Sequence, residues 1–142
     1  MTFDVLSDLN WLAVLVAALA YFAVGALWYA PRVFGTIWAT AGGLRLPEPG
    51  TRPSPAIFVT PLIGSVLSAI ALAMIAKASG TDTFKEGIVL GLVVAIGWAA
   101  SIAFVTAQFE TGKPKPMVWG AVNAGYHVVG NLLAAIIIAS WQ

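Results

Sequence analysis

The last apolar run of the chain, residues 117–141, is the feature that most constrains the fold. It consists mainly of Val, Leu, Ile, Ala and Gly, yet it also holds Asn123, His127 and Asn131. These three polar residues are spaced i, i+4 and i+8, so on a helix they lie along one stripe. Hydrocarbon cannot satisfy an amide or an imidazole, so we expect the stripe to face protein or an internal cavity.

Three further apolar runs are long enough to cover that stripe. Together the four runs predict spans over about residues 9–30, 56–77, 87–108 and 117–141, each about 30 Å of helix. The chain of 142 residues is 60% hydrophobic and only 9% charged, which is typical of membrane proteins. We therefore predict an all-α membrane protein, with four transmembrane helices in an antiparallel bundle that forms a single domain over residues 1–142.

The connectors between the runs differ in character. Segment 32–39 places Val33, Phe34, Ile37 and Trp38 on one face, which predicts a short amphipathic helix in the membrane interface. An ordinary loop anchored by Trp38 is the alternative. Residues 46–55 are rich in Pro and predict an extended connector. The short polar loop 78–86 predicts that the second and third spans are antiparallel neighbours.

Small residues four apart mark helix faces that are suited to close packing. Such pairs occur in the second and third spans at Gly64 and Ser68, Gly87 and Gly91, and Gly97 and Ser101. The first span has a stripe of small and aromatic residues at the same spacing, namely Ala17, Tyr21, Gly25 and Tyr29. One compact bundle needs fewer such faces, so we predict a homo-oligomer, in the simplest case a dimer.

The placement of Lys and Arg predicts the orientation in the membrane. The first and third loops hold Arg32, Arg45, Arg52, Lys113 and Lys115, whereas the opposite side holds only Lys77 and Lys85. Because cytoplasmic loops carry the excess of cations, loops 31–55 and 108–116 are predicted to be cytoplasmic and both termini to lie outside. We expect the protein to be a multi-pass protein of the bacterial inner membrane.

Counting along the helices at about 1.5 Å per residue places polar and aromatic residues of all four spans in one layer at mid-membrane. This layer comprises Tyr21, Ser65, Ser68, Trp98, His127 and Asn131. Nearer the cytoplasmic side, Tyr29, Asn123 and Tyr126 predict a second cluster. One interpretation is that these groups only bond to one another and fix the helix register. The other makes His127 a proton-sensitive or ligand-binding group beside a cavity.

Composition argues against several classes of function. The absence of Cys removes thiolate catalysis, iron–sulfur clusters and Cys-type zinc sites, and a single His cannot build a multi-histidine metal site. A haem or metal at His127 would need a second ligand from a partner chain, so we expect no cofactor. No nucleophile–base pair is evident, which argues against an enzyme, and no basic patch indicates nucleic-acid binding.

Two functional hypotheses remain. The first is a non-catalytic helix bundle that acts as an oligomeric or accessory membrane component, with the lipid bilayer and its own copies as partners. The alternative is a small oligomeric transporter or channel for a small molecule or ion, which uses the polar layer around His127. Ion-coupled carriers usually place an acid at mid-membrane, and the predicted spans contain no Asp or Glu, which weighs against the alternative.

Motifs at both ends of the chain resemble a known family. Near the start they are the run from Asn10 to Ala20, Gly25-Ala-Leu-Trp-Tyr-Ala-Pro31, Phe34-Gly35 and Trp38. Near the end they are Phe109-Glu110, a basic turn with Pro, Asn123-Ala-Gly-Tyr-His127 and a tail that ends in Trp141. This pattern is similar to the bacterial membrane family called domain of unknown function 1761. The resemblance implies four spans and membrane residence but no reaction; the Pro-rich connector and Thr111 depart from the family pattern.

Overall fold

A computed structural model describes residues 2–45 and 54–141 of the chain, and over these ranges it contains helices and no strand. The elements in order are a 3₁₀ turn (Phe3–Asp8), α1 (Trp11–Trp28), a π-helical turn (Pro31–Gly35), α2 (Thr36–Gly42), a 3₁₀ turn (Pro55–Phe58), α3 (Val59–Ser79), α4 (Phe84–Val94), a π-helical segment (Ala95–Ala100), α5 (Ser101–Phe109) and α6 (Pro116–Ala139).

Four helical stretches of the described chain are long and apolar enough to cross a membrane. They are Trp11–Trp28, Pro55–Ser79, Phe84–Phe109 and Pro116–Ala139. The third span therefore joins α4, the π-helical segment and α5 into one continuous helix. The prediction of an all-α membrane bundle with four spans is confirmed. Of the Pro-rich connector, residues 46–53 lie outside the described residues.

Local chemistry explains where the helices begin. The Asn10 side chain accepts a hydrogen bond from the Ala13 N–H at 3.1 Å and caps α1. Thr83 and Glu86 form a reciprocal capping box at the start of α4. Pro116 occupies the first turn of α6, where its missing N–H costs little. The helices consequently start within a few residues of the predicted positions.

The last span is the centre of the bundle. Helix α6 contacts all five other α-helices, and it carries the largest buried share of the four spans. The third span approaches it closely at Gly87 and Gly91. A Cβ at Gly87 would lie 2.9 Å from Cα of Ile136, and one at Gly91 would lie 2.8 Å from Cα of Leu132. The predicted close-packing face at Gly87 and Gly91 therefore packs within the chain, against α6.

A hydrogen bond joins the start of the first span to the end of the last span. The Asn10 side-chain amide donates a hydrogen bond to the Trp141 carbonyl oxygen at 2.7 Å. Because Asn10 precedes α1 and Trp141 follows α6, the first span begins where the last one ends. Both ends of the described chain thus lie at the same end of the bundle, as four crossings require.

The second and third spans separate soon after their connecting loop. Helix α3 meets α4 only weakly, whereas α3 packs against α1 and α6, and α4 packs against α6. The prediction that these two spans are neighbours therefore holds only near the loop. The physical reason is that Gly87 and Gly91 draw the third span onto α6. An open groove lies between α3 and the later part of the third span.

Two of the predicted close-packing pairs are not used inside this chain. A Cβ at Gly64 or at Gly97 would meet no atom within 4 Å, so neither glycine lies against another helix. The Ser101 hydroxyl instead donates to the Gly97 and Trp98 carbonyls of its own helix, at 2.8 and 2.9 Å. Among the described residues, these two glycines therefore contribute nothing to packing within the chain.

The segment after the first span is helical, so the alternative of an ordinary loop is wrong. Its apolar residues, however, do not share one surface. Val33 and Ile37 are exposed, whereas Phe34 packs on Trp28 with ring centroids 4.4 Å apart. Trp38 points toward α6 and bonds to it, as described below. The predicted amphipathic helix is therefore docked on the bundle by its aromatic residues.

Candidate functional site

Tyr21 of α1 connects two polar residues of α6. Its side chain is 2% exposed, and its hydroxyl lies 2.7 Å from Nδ1 of His127. The Asn131 side-chain amide donates to the same hydroxyl at 2.9 Å and to the His127 carbonyl oxygen at 2.7 Å. Three residues of the predicted mid-membrane layer thus form one hydrogen-bonded network between the first and last spans.

Gly130 makes this network possible. A Cβ at this position would overlap the ring of Tyr21, so the ring lies directly on the α6 backbone. The hydroxyl then reaches the residues on either side, His127 and Asn131. Sequence reasoning missed Gly130, although a glycine beside Asn131 and four residues from Tyr126 was a usable signal of close approach.

A second cluster surrounds Asn123. Its side-chain oxygen accepts hydrogen bonds from the Tyr29 hydroxyl at 2.7 Å and from the Trp38 indole N–H at 3.1 Å. The structure therefore brings together Asn123 and Tyr29, as the sequence predicted. It adds Trp38, which the sequence predicted only as part of an interfacial face.

Tyr126 joins the two clusters through its ring. It contacts the rings of Tyr21, Tyr29 and His127, with centroid distances of 5.3, 5.5 and 4.7 Å. The side chain is largely buried, and it does not line the groove. Gly25 lies against it, because a Cβ there would sit 3.1 Å from the ring. Tyr126 therefore packs against both clusters but does not face the groove.

The groove between α3 and the third span has a volume of about 530 Å³. Its polar lining comes from Tyr21, Ser68, Thr106, Asn123, His127 and Asn131. Ser68 also makes a polar contact with the Tyr21 side chain. Two aromatic residues, Trp98 and Trp119, border the groove, and most of its remaining lining is aliphatic. Five of the six residues of the predicted mid-membrane layer therefore line the groove, whereas Ser65 does not, because its hydroxyl donates to the Pro61 carbonyl of its own helix at 2.9 Å.

The third span changes its helical form where it borders this groove. Residues Ala95–Ala100 form a π-helical segment, and Trp98 within it is 64% exposed. Single π-helical turns widen a helix locally and are frequent at functional sites. Within the described chain no hydrogen bond reaches the Trp98 indole, so its nitrogen is available at the margin of the groove.

Trp119 marks the other aromatic border. Its indole is half-buried. Lys113 lies 4.5 Å above its ring, and Lys113 also pairs with Glu110 at 3.0 Å. On the other side, a Cβ at Gly42 would lie 2.9 Å from Cδ1 of Trp119. The indole is thus held between the last loop and α2.

Sequence reasoning also missed Trp28. Its indole N–H donates to the Val122 carbonyl at 3.0 Å, so a side chain of α1 bonds to the backbone of α6. The ring lies over Gly125, where a Cβ would be 2.7 Å from Cζ2 of Trp28. The glycine in the Asn123–His127 motif therefore leaves room for the Trp28 ring against α6.

These features define a small multi-pass helical membrane protein with an open groove that is polar on one wall. In the described part of the chain, no three His, Cys, Asp or Glu residues gather as a metal site would require. The chain belongs to the family described as Protein of unknown function (DUF1761), whose sequence model matches residues 12–139. This match confirms the resemblance drawn from the two end motifs. No curated protein and no solved structure matches the chain.

Proposed function

We propose that this protein is a non-catalytic binding protein of the membrane interior, whose groove takes up a small molecule from the lipid phase. The observation that carries the proposal is the Tyr21–His127–Asn131 network in the wall of the groove. Binding sites for small molecules usually enclose about 300–1,000 Å³, with mostly apolar walls and a few placed polar groups. The groove has this size and this composition.

The size of the lining residues supports binding over a purely structural role. Hydrogen bonds that only fixed the helix register would need no open space beside them. Ser68, Ala71, Ala99 and Ala103 line the groove, and all four are small. Protein interiors are otherwise close-packed, so a bundle that required only stability would fill this space with larger side chains.

The proposal includes no reaction. Among the described residues that line the groove there is no carboxylate, thiol or charged amine to act together with His127. Binding is therefore the chemistry that these residues support. The sequence predicted two functions, an oligomeric or accessory bundle and a small transporter or channel. The groove favours the small-molecule site around His127 that the second hypothesis needs. Transport would require a further step after binding.

Photo-crosslinking tests the proposal directly. The full chain is reconstituted in phosphatidylcholine vesicles that contain a trace of a diazirine-bearing diacylglycerol, and labelled residues are identified by mass spectrometry. We expect labelling to concentrate in the groove and to fall several-fold in Ala99→Phe, which fills the groove. Ile96→Phe is the matched control, because Ile96 lies on the exposed surface of the same π-helical segment and does not line the groove. Labelling spread evenly over all lipid-facing helices, and equal in the two variants, would contradict the proposal.

Self-association is a second candidate function, and Gly97 is the observation that favours it. Gly97 and Ser101 form a small-residue pair on the outer surface of the third span, and nothing within the described chain covers Gly97. Small residues at such spacing let helices of separate chains approach closely. We propose that two copies meet along this surface, and the corresponding experiment is given in the Discussion.

A further inference from the structure

The hydrogen bonds around Tyr21 restrict where the protons of the network can lie. The Asn131 amide nitrogen donates to the His127 carbonyl oxygen, which can only accept, and it donates its second hydrogen to the Tyr21 hydroxyl. When Ser68, which also contacts the Tyr21 side chain, donates the second bond to that hydroxyl, both of its lone pairs are occupied and its own proton goes to Nδ1 of His127. Nδ1 is then an acceptor, and the neutral imidazole carries its hydrogen on Nε2.

The hydrogen on Nε2 of His127 points into open space. No hydrogen bond reaches Nε2 from the described residues. Yet among those residues no fully buried side-chain nitrogen or oxygen lacks a partner, so Nε2 is not fully buried. His127 lines the groove, which is where its ring becomes accessible. The last span therefore presents an N–H donor to the groove.

Asn123 presents a second donor in the same way. The Trp38 N–H can only donate, so the Asn123 atom that it meets must be the side-chain oxygen, which also accepts from Tyr29. The amide nitrogen lies on the other side, and no partner for it occurs among the described residues. Among the described residues no fully buried side-chain nitrogen lacks a partner, so the Asn123 amide nitrogen is not fully buried. Its two hydrogens are accessible from the groove that Asn123 lines.

The two donors are neutral and lie one helical turn apart. Residues at i and i+4 have Cβ atoms about 5–6 Å from each other on one helix face. No ionisable side chain besides His127 and Tyr21 lines the groove. The acceptor left over in the network is the Asn131 oxygen, which belongs to a side chain that is only 4% exposed. The polar wall thus offers mainly hydrogen-bond donors and no countercharge.

We infer that the groove selects an uncharged lipid-phase molecule with two carbonyl oxygens, which accept hydrogen bonds from Nε2 of His127 and from the Asn123 amide. This inference rests on the proposed function and names its ligand class. A cation or a carboxylate is excluded, since an unpaired charge is costly in a low-dielectric site. Two lipid-phase sources supply paired carbonyls, namely a quinone ring and the ester groups of a diacyl lipid.

The single histidine of the chain allows the proton position to be measured. We suggest labelling the full chain with ¹⁵N-histidine in nanodiscs of ether-linked phosphatidylcholine, which has no ester carbonyls, and recording the ring nitrogens by NMR. We expect Nε2 to be protonated and Nδ1 unprotonated. Tyr21→Phe removes the hydroxyl and should produce a mixture of tautomers. Tyr29→Phe, which alters only the Asn123 cluster, should leave the spectrum unchanged. Protonation at Nδ1 in the unmodified chain would overturn the inference.

The same sample tests the ligand class. Three probes are compared. Decylubiquinone supplies quinone carbonyls, dioctanoylglycerol supplies ester carbonyls, and tetradecane has no carbonyl. We expect the Nε2 resonance to shift with a carbonyl probe and not with tetradecane, and the probe that acts identifies the source. His127→Phe should bind that probe roughly tenfold more weakly, as judged by ligand-induced thermal stabilisation, because one hydrogen bond is lost. His127→Gln, which keeps an N–H donor near the Nε2 position, should retain more of the affinity.

The outcomes separate the two proposals. If tetradecane stabilises the protein as well as the carbonyl probes do, the ligand class is wrong but a lipid-binding groove remains. The same holds if a carbonyl probe binds without shifting the Nε2 resonance. If no probe binds and photo-crosslinking is unspecific, the proposed function fails together with the inference.

Discussion

The Tyr21 hydroxyl on the first span lies 2.7 Å from Nδ1 of His127 on the last span. A polar bond inside a membrane contributes about 0.6 kcal/mol on average and at most about 1.7 kcal/mol. One such bond therefore does not hold four helices together. Together with Asn131, the Tyr21 hydroxyl instead fixes the orientation of the His127 ring beside the groove.

Removing this hydroxyl should weaken the bundle by a modest amount. Tyr21→Phe loses the bonds to His127 and Asn131, so we expect the free energy of unfolding to fall by about 1–2 kcal/mol. The measurement is helix content during titration with a denaturing detergent. Tyr29→Phe is the control and should cost less, because Asn123 keeps its bond from Trp38. A Tyr21→Phe variant as stable as the unmodified chain would contradict the network.

Glycine substitutions on two helices should differ sharply. Gly130→Ala places a methyl group in the ring of Tyr21, so we expect a loss of about 1–3 kcal/mol from overpacking. Gly64→Ala meets no atom within 4 Å, so it should be neutral or stabilising by up to about 1 kcal/mol through helix propensity. Thermal unfolding of both variants in one detergent tests this. Equal effects would show that Tyr21 does not pack on Gly130.

Association of two copies should depend on Gly97. Gly97→Leu adds bulk on an outer surface, so we expect the fold to remain intact while a dimer in lipid dissociates. Gly64→Leu provides the matched control on another outer surface. Chemical crosslinking in nanodiscs and the mass of the detergent complex report the change. If both variants stay dimeric, the proposed dimer surface is wrong; if the unmodified chain is a monomer, self-association is excluded.

The orientation predicted from the cations is testable because the chain has no Cys. Ser7→Cys lies before the first span and Thr111→Cys in the last loop, and both positions are exposed. In intact bacterial cells, a membrane-impermeant maleimide should label Ser7→Cys, and it should label Thr111→Cys only after permeabilisation. The reverse pattern would show that the termini are cytoplasmic.

Periodicity alone predicted the polar edge of the last span. The spacing of Asn123, His127 and Asn131 placed them on one stripe, and the structure turns that stripe toward Tyr21, Tyr29 and the groove. This worked because the penalty for bare polar groups in hydrocarbon leaves few alternatives. The same argument could not place Trp38, since an indole is equally satisfied at an interface or by an amide oxygen.

The packing partners of the small residues could not be predicted. Gly87 and Gly97 look alike in the sequence, yet only Gly87 lies against α6. The choice depends on how the third span is rotated, and the π-helical segment Ala95–Ala100 changes that rotation halfway along it. Local sequence carries no clear signal for such a segment. The groove, which depends on that rotation, was therefore beyond a prediction from hydropathy.

A density map at side-chain resolution of the full chain in lipid nanodiscs would test the central claim most directly. We predict an elongated density in the groove between α3 and the third span. Its polar end should lie about 3 Å from Nε2 of His127 and from the Asn123 amide nitrogen. A groove closed by its own side chains, or a last span whose His127 edge faces the acyl chains of the surrounding bilayer, would contradict the account.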